Sequence, residues 1–189
     1  MTENRTPFAS VYNRFLEKVT DDMYIEYTIQ DTVKDLQNLL VDAIPGFEFP
    51  RINLYDYSVK TEIVREDTVL PTDFILGVVW EELSDNPNPV PEVIVDRSSF
   101  SAELTQEEIN ILALLMKQAW VQRQVSSIEN TRMKYAGSDF KMTSQANHLA
   151  KLLNLLEEAQ RESFHMQRLY KRRKAGKDGT YKSTWSMFR

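Results

Sequence analysis

The chain has 189 residues, 42% of them apolar, with a formal net charge of −5 and no cysteine. This length and apolar content fit one ordinary folded domain and exclude global disorder. The missing cysteine removes disulfides, thiolate metal sites and cysteine nucleophiles together, and fits assembly in a reducing cytoplasm.

The first residues contain no apolar stretch of the kind a secretory signal needs, so none is expected. No apolar run approaches the roughly 20 residues of a membrane span. A short helix is predicted over 6–19, with Thr6 as N-cap, Pro7 at the first helical position, and Phe8, Val11, Tyr12, Phe15 and Val19 at helical spacing. A break follows at Thr20-Asp21-Asp22. A second helix over 27–44 places Ile29, Val33, Leu36, Leu40, Ala43 and Ile44 on one side and stops at Pro45-Gly46. Residues 1–46 thus read as a helical hairpin whose apolar faces need a partner.

Residues 47–103 change character. Strand-like stretches at 52–57, 59–64, 74–80 and 90–95 are separated by turn signals at Asp67, 85–89 and Pro91. Twelve acids against four bases give this segment a charge of −8. It reads as a small antiparallel β insertion with an acidic surface.

Thr105-Gln-Glu-Glu108 fits a capping box and starts a third helix, predicted to run to about Tyr135 with Gly137 as its stop. It carries two apolar stripes, Ile109, Leu112, Met116 and Ala119 on one, Ile111, Leu114, Val121, Val125 and Ile128 on the other. Two stripes predict burial on two sides. A fourth helix begins near Thr143 or Ser144. Leu149, Leu152, Leu156, Ala159, Met166 and Tyr170 recur in steps of three and four, broken at Ser163, and form a coiled-coil-like seam. Its roughly 28 residues span about 42 Å. The short link over 137–142 predicts a long antiparallel pair for 104–170, with the far end, 161–174, projecting beyond the core. The predicted fold is therefore mainly α: a bundle of about four helices, a small β insertion and an extended C-terminal tail.

That tail, 171–189, holds seven Lys/Arg and one acid, a charge of +6, so residues 1–170 carry −11. It also holds Tyr181, Trp185, Met187 and Phe188. The basic group Arg168, Lys171, Arg172, Arg173 and Lys174, with the anchors Tyr181, Trp185 and Phe188, is the candidate partner-binding site. The cluster suits a solvated helix end, a phosphate contact or docking on an acidic protein surface, and the aromatic residues favour the last. The acidic body argues against a duplex-DNA binder.

Signs of catalysis are missing from the sequence. His148 and His165 lie roughly 25 Å apart along one predicted helix and cannot share a metal ion. Glu157 and Glu158 are adjacent on a helix and diverge by about 100°. No Gly-rich phosphate loop, Gly-x-Ser-x-Gly elbow, His-Glu-x-x-His or EF-hand spacing occurs. Trp120 reads as a core residue. The chain is expected not to be an enzyme and to need no cofactor or metal.

Three stretches carry a resemblance: Leu104-Thr-Gln-Glu-Glu-Ile-Asn-Ile-Leu-Ala-Leu-Leu-Met-Lys-Gln-Ala-Trp120, Lys134-Tyr-Ala-Gly-Ser-Asp-Phe-Lys-Met-Thr-Ser-Gln-Ala-Asn-His-Leu149 and Tyr170-Lys-Arg-Arg-Lys174. They resemble the head–tail connector (adaptor, or neck) proteins of tailed bacteriophages. The likeness covers about 105–189 and does not extend to 47–103. It implies a helical-bundle virion protein, assembled in the host cytoplasm, that forms a ring of about twelve copies beneath the portal. Such a ring extends the DNA channel without sequence-specific binding and meets the next neck or tail protein. The C-terminal tail would insert into the portal or a neighbouring subunit. A head-closure or tail-completion protein shares the same logic; a nucleic-acid-binding regulator and an enzyme with an acidic metal site are the rivals from other classes.

Overall fold

The structure, a computed structural model, describes residues 5–19, 27–71, 73–79, 91–134, 142–175 and 181–183. Among these residues four α-helices carry the fold: α1 (Phe8–Leu16), α2 (Ile29–Ala43), α3 (Gln106–Lys134) and α4 (Met142–Arg172). The strands are short: β1 (Thr6–Pro7), β2 (Tyr57–Ser58), β3 (Thr61–Arg65), β4 (Phe74–Val79), β5 (Glu92–Asp96), β6 (Ser99–Phe100), β7 (Arg173–Ala175) and β8 (Tyr181–Ser183). The chain is mainly α, as its periodicity predicts. The predicted break at 20–22, the turn at 85–89 and the stop at Gly137 lie outside the described residues.

The N-terminal helix starts two residues later than its composition suggests. Thr6 belongs to β1, and its hydroxyl accepts a hydrogen bond from the Leu104 N–H at 2.7 Å rather than capping α1. Pro7 occupies the N-cap position with no side-chain cap bond, and the Phe8 N–H donates to the Ser98 carbonyl instead. Sheet pairing across the molecule has thus taken the place of a local cap. For α2 the local signal wins. The Thr28 hydroxyl accepts from the Asp31 N–H at 3.1 Å, so the helix starts at Ile29. Ile29, expected on the buried side, is 54% exposed, because it sits in the first turn ahead of the packed stripe of Val33, Leu36, Leu40 and Ala43. Pro45-Gly46 ends the helix in one turn of 3-10 helix, and Gly46 lies so close to α3 that a Cβ there would come within 3.1 Å of Leu115 Cδ2.

Two antiparallel three-stranded sheets hold the middle of the chain, ordered β1-β6-β2 and β3-β5-β4. The predicted strand over 52–57 forms only at Tyr57. The Asn53 side chain accepts from the Tyr55 N–H at 3.1 Å, a local turn that competes with ladder pairing. Leu54, Leu76 and Phe100 join the core cluster of α1, α2 and the first half of α3, so the acidic segment shares that core rather than burying one of its own. A buried carboxylate pins the join: Asp96 accepts from Gln37 and from the backbone and hydroxyl of Ser98.

Arg97, following β5, ties the outer strands together. Its guanidinium meets Asp73 through two nitrogens, at 2.8 and 3.1 Å, and Glu62 at 2.8 Å. Burial works to raise the pKa of the Asp73 carboxyl, but Arg97 and the Leu70 N–H outweigh it and hold it below the usual carboxylate value. Hydrogen bonds from Lys60 and Arg97 lower Glu62 likewise. A depressed carboxylate contributes stability above its unfolded pKa of about 4, and that contribution is lost as pH falls through the folded value. Thermal unfolding followed from neutral pH to below about pH 4 should show this loss, and Arg97→Ala should flatten the acid limb. An unchanged acid limb in that variant would show that these carboxylates do not drive it.

The capping box of α3 forms as predicted. Thr105 Oγ1 accepts from the Glu108 N–H at 3.3 Å, and Glu108 Oε2 accepts from the Thr105 N–H at 2.8 Å. Both apolar stripes are covered: Ile109, Leu112 and Met116 are buried, and so are Ile111, Leu114, Val121 and Val125. Two clusters result. Ile109, Ile111, Leu112, Ala113, Leu115 and Met116 share the main core with α1 and α2, while Val121 and Val125 pack with Leu149 and Leu156 of α4. Trp120 is partly buried between them, its indole nitrogen without a partner. Ser163 does not interrupt the α4 seam, because its hydroxyl bonds Gln118 at 3.1 Å and it is buried. The expectation that 161–174 projects beyond the core is corrected. Tyr170 is 1% exposed and belongs to the main cluster.

Candidate assembly interface at the end of the last helix

A helix end leaves four carbonyl groups without partners inside the helix. At the end of α4 a side chain from the other half of the sequence supplies donors. Arg51 donates from Nη2 to the Tyr170 carbonyl at 2.8 Å and also to the Arg173 carbonyl. Its guanidinium carbon stacks 4.1 Å from the centroid of the Tyr170 ring. Phe47 meets the same ring edge-on at 5.4 Å. The Tyr170 hydroxyl donates to Glu108 Oε1, which joins the helix end to the capping box of α3. One turn earlier, Gln167 accepts from the Glu48 N–H and donates to the Gly46 carbonyl.

The predicted basic cluster divides over this junction. Lys171 sits over the Phe49 ring, 3.7 Å from its centroid, and Arg173 pairs with Glu107 at 2.9 Å. Glu107 lies in the first turn of α3, where a carboxylate also complements the helix dipole. Arg168 and Arg172 are exposed and make no ion pair among the described residues. Lys174 is placed in β7 and Tyr181 in β8, whereas Trp185 and Phe188 lie outside the described residues. The helix runs directly into β7, and β7 pairs antiparallel with β8 in the register Arg173–Ser183, Lys174–Lys182 and Ala175–Tyr181. Over these six residues the tail is extended backbone, but paired with itself rather than running out singly.

The register sets Lys174 opposite Lys182. Like charges directly opposite one another destabilise a strand pair, and an isolated two-stranded hairpin is marginal in water. Among the described residues no three His, Cys, Asp or Glu side chains are placed to hold a metal ion, and no helix is long and apolar enough to cross a membrane. His148 and His165 are both exposed on α4.

Phe49, Arg51 and Glu107 complete the junction and escaped sequence reasoning, as did the bond of Glu108, read from sequence only as half of the capping box, to Tyr170. Arg51 and Tyr170 are 119 residues apart, and no local signal links them. Arg51→Ala is expected to speed amide exchange over 173–175 by about tenfold or more, since a bond from a charged donor is worth about 1.5–3 kcal/mol. Unchanged exchange would mean that Arg51 does not hold the root of the hairpin.

No protein family, curated protein or solved structure was found to match the chain.

Proposed function

We propose that the chain is a structural neck protein of a tailed bacteriophage, a head–tail connector adaptor that forms a ring under the portal, extends the DNA channel and links capsid to tail. It works by assembly and not by catalysis. In this reading α3 and α4 form a long antiparallel pair, which the meeting of Glu108 with Tyr170 and of Gln118 with Ser163 supports. The tail beyond the pair is the docking arm.

The observation that carries the reading is the arm's construction. A segment of charge +6 leaves a body of −11 from a root fixed by Arg51 and Glu107, with two lysines opposed in its hairpin. A fixed root aims the arm, and the opposed lysines favour an acidic receptor. The acidic body suits a channel wall that repels DNA and lets it slide.

The test is to mix the purified chain with portal particles and image the complexes, beside a chain ending at Ala175, which keeps the root and loses the arm. The full chain should decorate portals as a ring and the shortened chain should not. Equal binding by both removes the arm from the interface. Failure of both sinks the connector assignment, and binding to tails instead would place the chain with the head-closure or tail-completion proteins.

A further inference from the structure

Two polar rows repeat at one spacing on different helices. On α2 the row is Asp31, Asp35, Asn38 and Asp42, and on α4 it is Arg161, His165, Arg168 and Arg172, both in steps of four, three and four. Such a row covers about three turns, so each keeps to one side of its helix over about 16 Å. Every member is exposed except Asp35, which is half-buried. Both helices pack on α3, and among the described residues no ion pair joins one row to the other.

Some of these charges already have neighbours. Arg123 of α3 reaches Asp35 at 2.6 Å and Asp42 at 3.8 Å, and Lys34 lies exposed on the flank of the acidic row. Glu157 meets Arg161 at 3.4 Å, with Glu158 and Glu162 exposed on the same helix. Ion pairs at the surface hold their members weakly and leave them able to exchange partners. Arg168 and Arg172 make no ion pair among the described residues, nor does Asp31, whose carboxylate accepts from the Thr28 hydroxyl at the start of α2.

We propose that the two rows are the two halves of a contact between copies of this chain, with α4 of one copy lying antiparallel on α2 of the next. The spacing reads the same in both directions, so charge sets the direction. Antiparallel alignment puts Asp31 against Arg172, Asp35 against Arg168, Asn38 against His165 and Asp42 against Arg161, so every arginine faces a carboxylate. Parallel alignment leaves Arg168 facing an amide. The antiparallel arrangement also sets the first turn of α2 beside the last turn of α4, opposite ends of the two helix dipoles. The rows belong to different faces, so the contact is head-to-tail, the kind that closes into a ring or runs on as a filament. The inference rests on the ring reading above and names the faces that meet in it.

The absence of cysteine from the chain gives a clean test. Asn38→Cys and His165→Cys, both at exposed helix positions, are purified separately, mixed, and treated with a bismaleimide, free and on portal particles. The mixture should give covalent dimers, and neither variant alone should. Adding Arg172→Glu to the His165→Cys chain should cut the yield about tenfold, because like charges then face each other, and added salt should lower it as well. Adding Asp31→Arg to the Asn38→Cys chain should restore the yield, which a misfolded partner could not do. No dimer in the mixture, free or on portals, overturns the proposal, as does a yield indifferent to both charge changes. Dimers from either variant alone would mean a two-fold contact and overturn the head-to-tail assignment. Portals ringed by the full chain without the cross-link would remove this contact and leave the connector reading. The cross-link in a chain that portals ignore would do the reverse.

Discussion

Replacing Tyr170 with alanine is expected to destabilise the chain by about 3–5 kcal/mol, the cost of deleting a buried aromatic ring. For a chain of this length that lowers the unfolding midpoint by on the order of 10 °C. The ring is 1% exposed, and its loss opens a cavity bounded by Phe47 and the stem of Arg51. It also leaves the Glu108 carboxylate with Thr105 as its remaining partner. Tyr170→Phe separates the effects, since it keeps the ring and removes one hydrogen bond, at about 1–2 kcal/mol. Urea unfolding of the three proteins makes the comparison. A loss below about 1 kcal/mol for the alanine variant would mean that the site collapses freely and the junction is not a strong point of the fold. Burial first, and then Glu108, push the Tyr170 hydroxyl well above its ordinary pKa. Burial, with Asp96 nearby, does the same to Tyr12. Folded-state values above the unfolded value give stability that is complete below about pH 10 and lost as pH rises further, so the chain should weaken in alkali.

Phe8→Ala should cost a similar amount, about 3–5 kcal/mol, for a different reason. Phe8 is fully buried at the start of α1, and its ring lies 4.7 Å from Phe100, 5.7 Å from Tyr57 and 6.1 Å from Tyr12. One side chain therefore joins the N-terminal helix to β6 and β2. Its removal should loosen β1 from β6 as well as lower the unfolding free energy. In a double-mutant cycle with Phe100→Ala the pair should couple by about 0.5–1.5 kcal/mol, the value of a ring–ring contact beyond area burial. Additive losses would show that Phe8 acts through its buried area alone.

Local chemistry was legible wherever it acts over a few residues. The Thr105–Glu108 capping box, the stop at Pro45-Gly46, the α4 seam and three of the four predicted strands follow from caps, turn residues and periodicity. Where a distant group competed, the local reading failed. Thr6 gave up the cap of α1 for the Leu104 N–H, and β1, β2 and β6, each two residues long, pair across wide gaps in sequence and leave no periodic trace. The candidate site divides in the same way. The basic residues 171–174 announce themselves by charge, but which of them face the body does not.

The sequence alone determined the mainly helical class, the two-sided burial of α3 and the opposition of a basic, aromatic end to an acidic body, because caps, apolar period and charge are properties of neighbouring residues. Only the tertiary structure decided that Tyr170, two residues before the end of the last helix, lies in the core, and that Arg51 and Glu107 hold the residues where that helix ends. Those outcomes depend on groups that meet across more than sixty residues of chain, Glu107 with Arg173 at a separation of 66 and Arg51 with Tyr170 at 119. At such distances loop-closure entropy opposes each contact, and packing of the whole core selects which of them form.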